Sequence, residues 1–230
     1  MGLSLEVGIL ADLNANDPEG AQHFREEFAT LNQYLESEGF PPHQEPESCE
    51  VWSCDMWGYS GLHYLRRVAA HLDLRKRLPT PGDENSSKDS VLEEYFRLVD
   101  HCSMRFLARI FGRQPIRSFD HLIVHGDAEG LYLPRDLASV LILSDEYPVA
   151  GGMVGSSVKL RDECERLATA LSLALDVDPE SDELFEAAES QGSGEQTWQR
   201  YGVESFTCLR LYRAALHSIK VTVHGDRTSH

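Results

Sequence analysis

The sequence predicts an α+β (or α/β) fold: a small central sheet, including a hairpin near residues 119–134, packed by about five helices. Three observations carry this. Apolar residues recur at helical spacing in several long stretches. Residues 3–9 alternate strictly between apolar and polar. A short apolar run at 119–125 is followed by a glycine-bearing turn and a second apolar run.

Leu3, Leu5, Val7 and Ile9 alternate with Ser4, Glu6 and Gly8, so the first predicted element is a strand with one buried face. Asp17-Pro18-Glu19 opens a helix, with Asp17 as cap and Pro18 in the first turn, where no amide hydrogen is missed. Phe24, Phe28, Leu31 and Leu35 form its apolar stripe. Gly39 ends it, and Phe40-Pro41-Pro42 prevents its resumption. Residues 40–50 read as an extended connection. Ser60 precedes a second helix over about 61–76, with Leu62, Leu65, Val68, Ala69 and Leu72 inward. The polar, turn-rich stretch from Pro79 to Ser87 predicts an exposed loop at about 79–88. A long helix over about 89–111 follows, carrying Leu92, Tyr95, Phe96, Val99, Phe106 and Ile110 on one side.

The middle of the chain changes character. Phe119 to His125, the turn Gly126-Asp127-Ala128-Glu129-Gly130, then Leu131 to Pro134 read as strand, tight loop and strand. Residues 138–143 fit either a buried strand or a short helix. A glycine-rich segment at 151–157 leads into a helix over about 158–173 with Leu160, Cys164, Leu167 and Leu171 inward. A shorter helix covers about 181–190. The last spans about 203–218, with Phe206, Leu209, Tyr212 and Leu216 on one face, before a frayed tail at about 220–230. Neither side of the 79–88 loop holds a complete set of elements, so residues 1–230 read as a single globular domain.

A chain of 230 residues, 41% hydrophobic and 26% charged, is long enough to bury a core without disulfides or metals. Its net charge of −17 is the unusual quantity. Like charges repel at long range, which opposes attachment to nucleic acid or to an anionic membrane and favours a cationic partner. The start lacks a basic segment followed by an apolar run, and no apolar stretch approaches a membrane span. Cys49, Cys54, Cys102, Cys164 and Cys208 are odd in number and scattered, without a Cys-x-x-Cys pair. These features predict a cytoplasmic protein; they specify no oligomeric state.

Three groups of residues are candidates for function. The first is polar: His125, Asp127 and Glu129 sit around one turn, with Asp55 and His63 as possible contributors from elsewhere. His121 belongs to the same run but lies four residues from His125, roughly 13 Å along a strand, an awkward span for one ion. The second is the loop Gly151, Gly152, Gly155, Ser156 and Ser157, where free amides and a helix dipole favour an anion, Ser157 serving as cap. It lacks the Gly-Lys-Ser/Thr ending of a P-loop. The third is aromatic: Trp52, Trp57 and Tyr59, and separately Trp198 and Tyr201, the residue types that supply rigid contact area in binding surfaces.

No nucleophile-elbow, zinc-protease or kinase motif is present, and no cofactor or metal is assigned. Cys54 beside Asp55 makes a poor nucleophile, because the carboxylate disfavours a thiolate. Two readings follow. The first is a non-enzymatic acidic interaction protein that binds a more basic protein, as inhibitors and immunity-type proteins do, without nucleic acid or membrane. The second is a metal-assisted hydrolase built around the 125–129 loop.

Overall fold

A computed structural model describes residues 3–82, 86–102, 117–127 and 129–225. The α+β prediction holds: helices pack around two small sheets. Ser4–Val7 (β1) pairs antiparallel with Trp52–Asp55 (β2), placing Ser4 opposite Asp55 and Glu6 opposite Ser53. Ser4, Glu6, Ser53 and Asp55 are exposed while Leu5, Val7 and Cys54 are half-buried, the one-sided burial that a period of two dictates. The strand is shorter than predicted. Gly8 adopts φ +85°, and Ile9 already begins helix α1, Ile9–Asn16.

Helix α2, Pro18–Ser37, starts as expected, with Asp17 Oδ1 accepting from the Gly20 amide at 3.1 Å. Phe28, Leu31 and Leu35 are buried, and Gly39 at φ +81° turns the chain away. Helix α3, Gly58–Arg75, begins before Ser60, whose hydroxyl donates to the Trp57 carbonyl within the first turn at 3.3 Å. In the predicted 79–88 loop, Ser86–Lys88 forms a 3-10 turn. Helix α4 is Ser90–Cys102; its predicted extension to 111, with Phe106 and Ile110, lies outside the described residues.

The expected hairpin at 119–134 is corrected. Asp120–Ile123 is a single helical turn, α5. Its backbone groups are met by distant side chains in place of a strand partner. The Glu163 carboxylate accepts from the His121 and Leu122 amides at 3.1 and 2.8 Å. The Arg66 guanidinium donates to the Leu122 and His125 carbonyls at 2.8 and 2.6 Å. Leu131–Leu133 (β3) is a strand, but it runs parallel to Met153–Ser156 (β5). Leu141–Ile142 (β4) closes the sheet antiparallel to β5, which decides the ambiguous 138–143 stretch as a strand.

Helices α6 (Ser157–Leu171), α7 (Asp182–Glu189) and α8 (Thr197–Arg200) precede a long α9, Gly202–Gly225. That last helix runs past the predicted end at 218. Leu211, Ala214, Ala215, Ser218 and Val221 keep lining a cleft against β1 and β3, so the helical stripe continues. Residues 226–230 of the expected tail lie outside the described residues. One core cluster joins α3, α4, α6, α7 and α9, and a second lies between α2 and the three-stranded sheet. The start of α9 is buried on every side, including Glu204, Ser205, Thr207 and Arg210.

Candidate functional site

The structure brings together part of the predicted polar group. Asp127 is ion-paired with the buried Arg66 and lies 3.4 Å from His63 Nε2. His125 faces elsewhere: it is buried, stacks on Tyr132 at 4.1 Å, and donates from Nε2 to the Leu131 carbonyl at 3.1 Å. Burial lowers its pKa and so favours the neutral imidazole, in keeping with a packing role. Glu129 is exposed, with its backbone carbonyl pressed against Gly151, where any Cβ would collide. Asp55 stands on β2 and does not join His63. Among the described residues, no three His, Cys, Asp or Glu side chains are placed to hold a metal ion.

The predicted anion loop divides: Gly151 is exposed and Gly152 half-buried, whereas its serine end is internal. Gly155, Ser156 and Ser157 are buried, and Gly151 and Gly152 belong to a short 3-10 turn ahead of β5. Ser156, not Ser157, caps α6, accepting from the Lys159 amide at 3.1 Å and donating to the Arg135 carbonyl at 2.5 Å. The Ser156 amide donates to His121 Nδ1 at 3.0 Å, while Ser157 bonds Ser218 at 2.8 Å.

The aromatic candidates separate. Tyr201 is buried and its hydroxyl donates to the Pro79 carbonyl. Trp198 is half-buried and bonds Gln196 at 2.6 Å. Trp52 stacks on His217 at 5.2 Å, and Tyr59 is exposed at the start of α3. Trp57 differs. It meets Phe185 edge-on at 5.5 Å and Phe206 at 5.3 Å, at the margin of an acidic face.

That face is where the charge imbalance concentrates. From Leu167 to Gln199 the chain carries Asp176, Asp178, Glu180, Asp182, Glu183, Glu186, Glu189 and Glu195 with no Lys or Arg. All eight are exposed, and among the described residues only Glu180 is ion-paired. Four of them stand on α7, which is about 12 Å long, giving one carboxylate per roughly 3 Å of axis. One strand of B-form DNA carries one charge per roughly 3.4 Å. Leu184, Ala187 and Ala188 pin the opposite side of α7 into the core, so the carboxylates have one outward direction. Close approach to α9 helps: a methyl at Gly202 would collide with the Ala187 carbonyl.

A second source of acid meets this face. Residues 1–65 hold twelve carboxylates and one cation, Arg25, whereas residues 66–117 hold 11 of the 21 Lys and Arg. Glu6 and Asp55, from the outer face of the β1–β2 ribbon, line one groove with Trp57, Glu180, Phe185 and Arg210. Burial and the nearby Asp12 carboxylate raise the Glu6 pKa. Burial likewise pushes the Cys54 thiol up to about 11, so it stays protonated. Of the acidic face, the predicted candidates include only Asp55 and Trp57. The signal for the rest was in the sequence as the run from 167 to 199 without a single cation, which a whole-chain net charge averages away.

A family model described as "Putative DNA-mimic protein" matches residues 1–223, and the chain belongs to that family. No curated protein and no solved structure matches it. Two expectations are thereby corrected. The family reading replaces both the immunity-type binding of a basic protein and the metal-assisted hydrolase. The exclusion of nucleic acid fails as well, since a DNA mimic is defined through the sites that bind DNA. Repulsion between a charge of −17 and phosphate concerns DNA as a ligand and overlooks DNA as the thing imitated. Among the described residues, no helix is long and apolar enough to cross a membrane.

Proposed function

We propose that this member of the DNA-mimic family occupies the nucleic-acid site of a DNA-binding protein, with α7 and its flanking loops standing in for a phosphate backbone. The observation that carries the reading is the set of eight exposed carboxylates between residues 167 and 199, uninterrupted by any cation. A DNA-binding surface gains most of its affinity from Lys and Arg aimed at phosphates. Carboxylates at matching density on a rigid helix meet the same donors. The partner is therefore specified by its phosphate-contacting groups, not by its overall charge.

The helix carries these charges against its own stability. Asp182 and Glu183 lie at the helix N-terminus, where the dipole favours them, but Glu186 and Glu189 crowd the unfavourable C-terminal end. A cytoplasmic setting, where nucleic-acid-binding proteins are at hand, agrees with the free thiols Cys49, Cys54, Cys164 and Cys208.

The test is competition. Proteins retained by the immobilised chain from its native cell are challenged with duplex DNA, and the purified partner is then assayed for DNA binding with and without the chain. The reading expects DNA and chain to displace one another, and the D182N/E183Q/E186Q/E189Q variant to lose that ability. A partner held equally well in saturating DNA, or by the neutralised variant, would reject it.

A further inference from the structure

The groove between the β1–β2 ribbon and α7 already contains one guanidinium. Arg210 is almost fully buried, with its guanidinium carbon 3.7 Å from the centre of the Phe206 ring and Nη2 bonded to Glu180 at 2.6 Å. Aromatic face and carboxylate together form a receptor for a planar cation. Toward solvent the groove repeats both components. Phe185, 46% exposed, shows the greatest exposure of any large apolar side chain among the described residues. It is fixed edge-to-face against Trp57 at 5.5 Å and Phe206 at 5.6 Å. Glu6 and Asp55 form the opposing wall, and among the described residues neither has an ion-pair partner.

We propose that the outer half of this groove receives an arginine side chain of the nucleic-acid-binding partner, its guanidinium lying against Phe185 and Trp57 between the carboxylates of Glu6 and Asp55. The proposal rests on the DNA-mimic reading and adds the identity of a specific contact. Charge complementarity selects a cation, and the aromatic wall selects its type. A guanidinium is flat and weakly hydrated, so it gives up water to lie on a ring, whereas an ammonium holds its hydration shell. Arginine is also a principal phosphate-contacting residue of DNA-binding surfaces. The Phe185 ring lies among the carboxylates of α7: Asp182 and Glu189 are three residues before and four after it, on the same helical face. An arginine entering beside a row of phosphate-like charges would thus find a site that plain charge density lacks.

The experiment uses the full chain and two capped peptides, each with three arginines or three lysines in an otherwise identical uncharged sequence. Binding is followed by fluorescence anisotropy and by the indole N–H resonance of Trp57. The arginine peptide is expected to bind at least fivefold more tightly than the lysine peptide and to shift the Trp57 resonance. Phe185→Ala should abolish the preference. Asp55→Asn, which leaves the aromatic packing in place, should weaken the arginine peptide several-fold. Glu183→Gln/Glu186→Gln, on the side of α7 turned away from Phe185, should weaken both peptides alike. Equal affinity for the two peptides with Trp57 unmoved overturns the groove proposal, while DNA competition by the same protein keeps the mimic reading intact. Loss of peptide binding and of DNA competition together overturns both.

Discussion

Arg210 and Asp55 are joined through the backbone: Arg210 Nε donates to the Asp55 carbonyl at 2.8 Å. The same guanidinium donates to the Pro179 carbonyl at 2.5 Å and to Glu180 at 2.6 Å. One buried cation therefore ties the end of β2 to the loop that introduces the acidic helix. It fixes two acidic segments, distant in sequence, relative to each other.

Replacing Arg210 with Met should cost about 3 kcal/mol of stability, because two carbonyls lose charge-assisted donors at a buried site. The Glu180 pair adds little to this figure, since that carboxylate is 68% exposed and water screens it. Urea unfolding of wild type and Arg210→Met checks the value. A loss under 1 kcal/mol would mean that the loop is held by other contacts.

Stability and binding should move in opposite directions on α7. Glu186→Gln/Glu189→Gln removes like charges from the C-terminal half of the helix and is expected to stabilise the fold by roughly 0.5 kcal/mol. The same change should weaken competition with DNA at low salt, and less so at high salt, where charge contacts are already screened. Asp182→Asn/Glu183→Gln should weaken competition without any gain in melting temperature, because those charges suit the helix N-terminus. Equal stability changes for the two pairs would remove the helix-dipole part of this account.

Gly202→Ala tests whether the fixed position of α7 matters. The added methyl collides with the Ala187 carbonyl, so α7 must shift or the start of α9 must deform, at about 1–3 kcal/mol. Competition with DNA should fall by more than a protein of matched reduced stability shows. Such a control is Val68→Ala, which opens a cavity beneath a fully buried side chain of α3 and leaves every carboxylate in place.

Local chemistry explains which elements were legible. Helix α2 announces itself through Asp17, Pro18 and Gly39, each acting on its own neighbours. The α5 turn could not be read, since its shape depends on Glu163 and Arg66, which are 41 to 59 residues away in sequence. Without those partners, Phe119 to His125 has the pattern of a buried strand. The site divides in the same way. Trp57 and Asp55 were visible as residue types, but the meeting of Glu6, Asp55 and Glu180 around Phe185 exists only once β1, β2 and α7 are assembled.

The buried Glu163 and His121 predict a pH profile with opposing slopes. Burial raises the Glu163 pKa from 4.5 to about 8 and lowers that of His121 from 6.5 to about 4. The folded state therefore holds the Glu163 proton more tightly than the unfolded chain, so its contribution is present below pH 4.5 and is lost as pH rises to about 8. For His121 the unfolded chain binds the proton more tightly, so stability grows as pH rises from about 4 to 6.5. The two slopes offset each other between about pH 4.5 and 6.5. Above 6.5 only the Glu163 effect of this pair persists, and stability should fall toward pH 8 by up to about 1.4 kcal/mol per unit. Urea midpoints across pH 4–9 measure this, and Glu163→Gln should flatten the decline above 6.5 and unmask the His121 rise between about pH 4 and 6.5. A wild-type profile level from 6.5 to 8 would show that the two amide donors from His121 and Leu122 stabilise the carboxylate as strongly as burial opposes it.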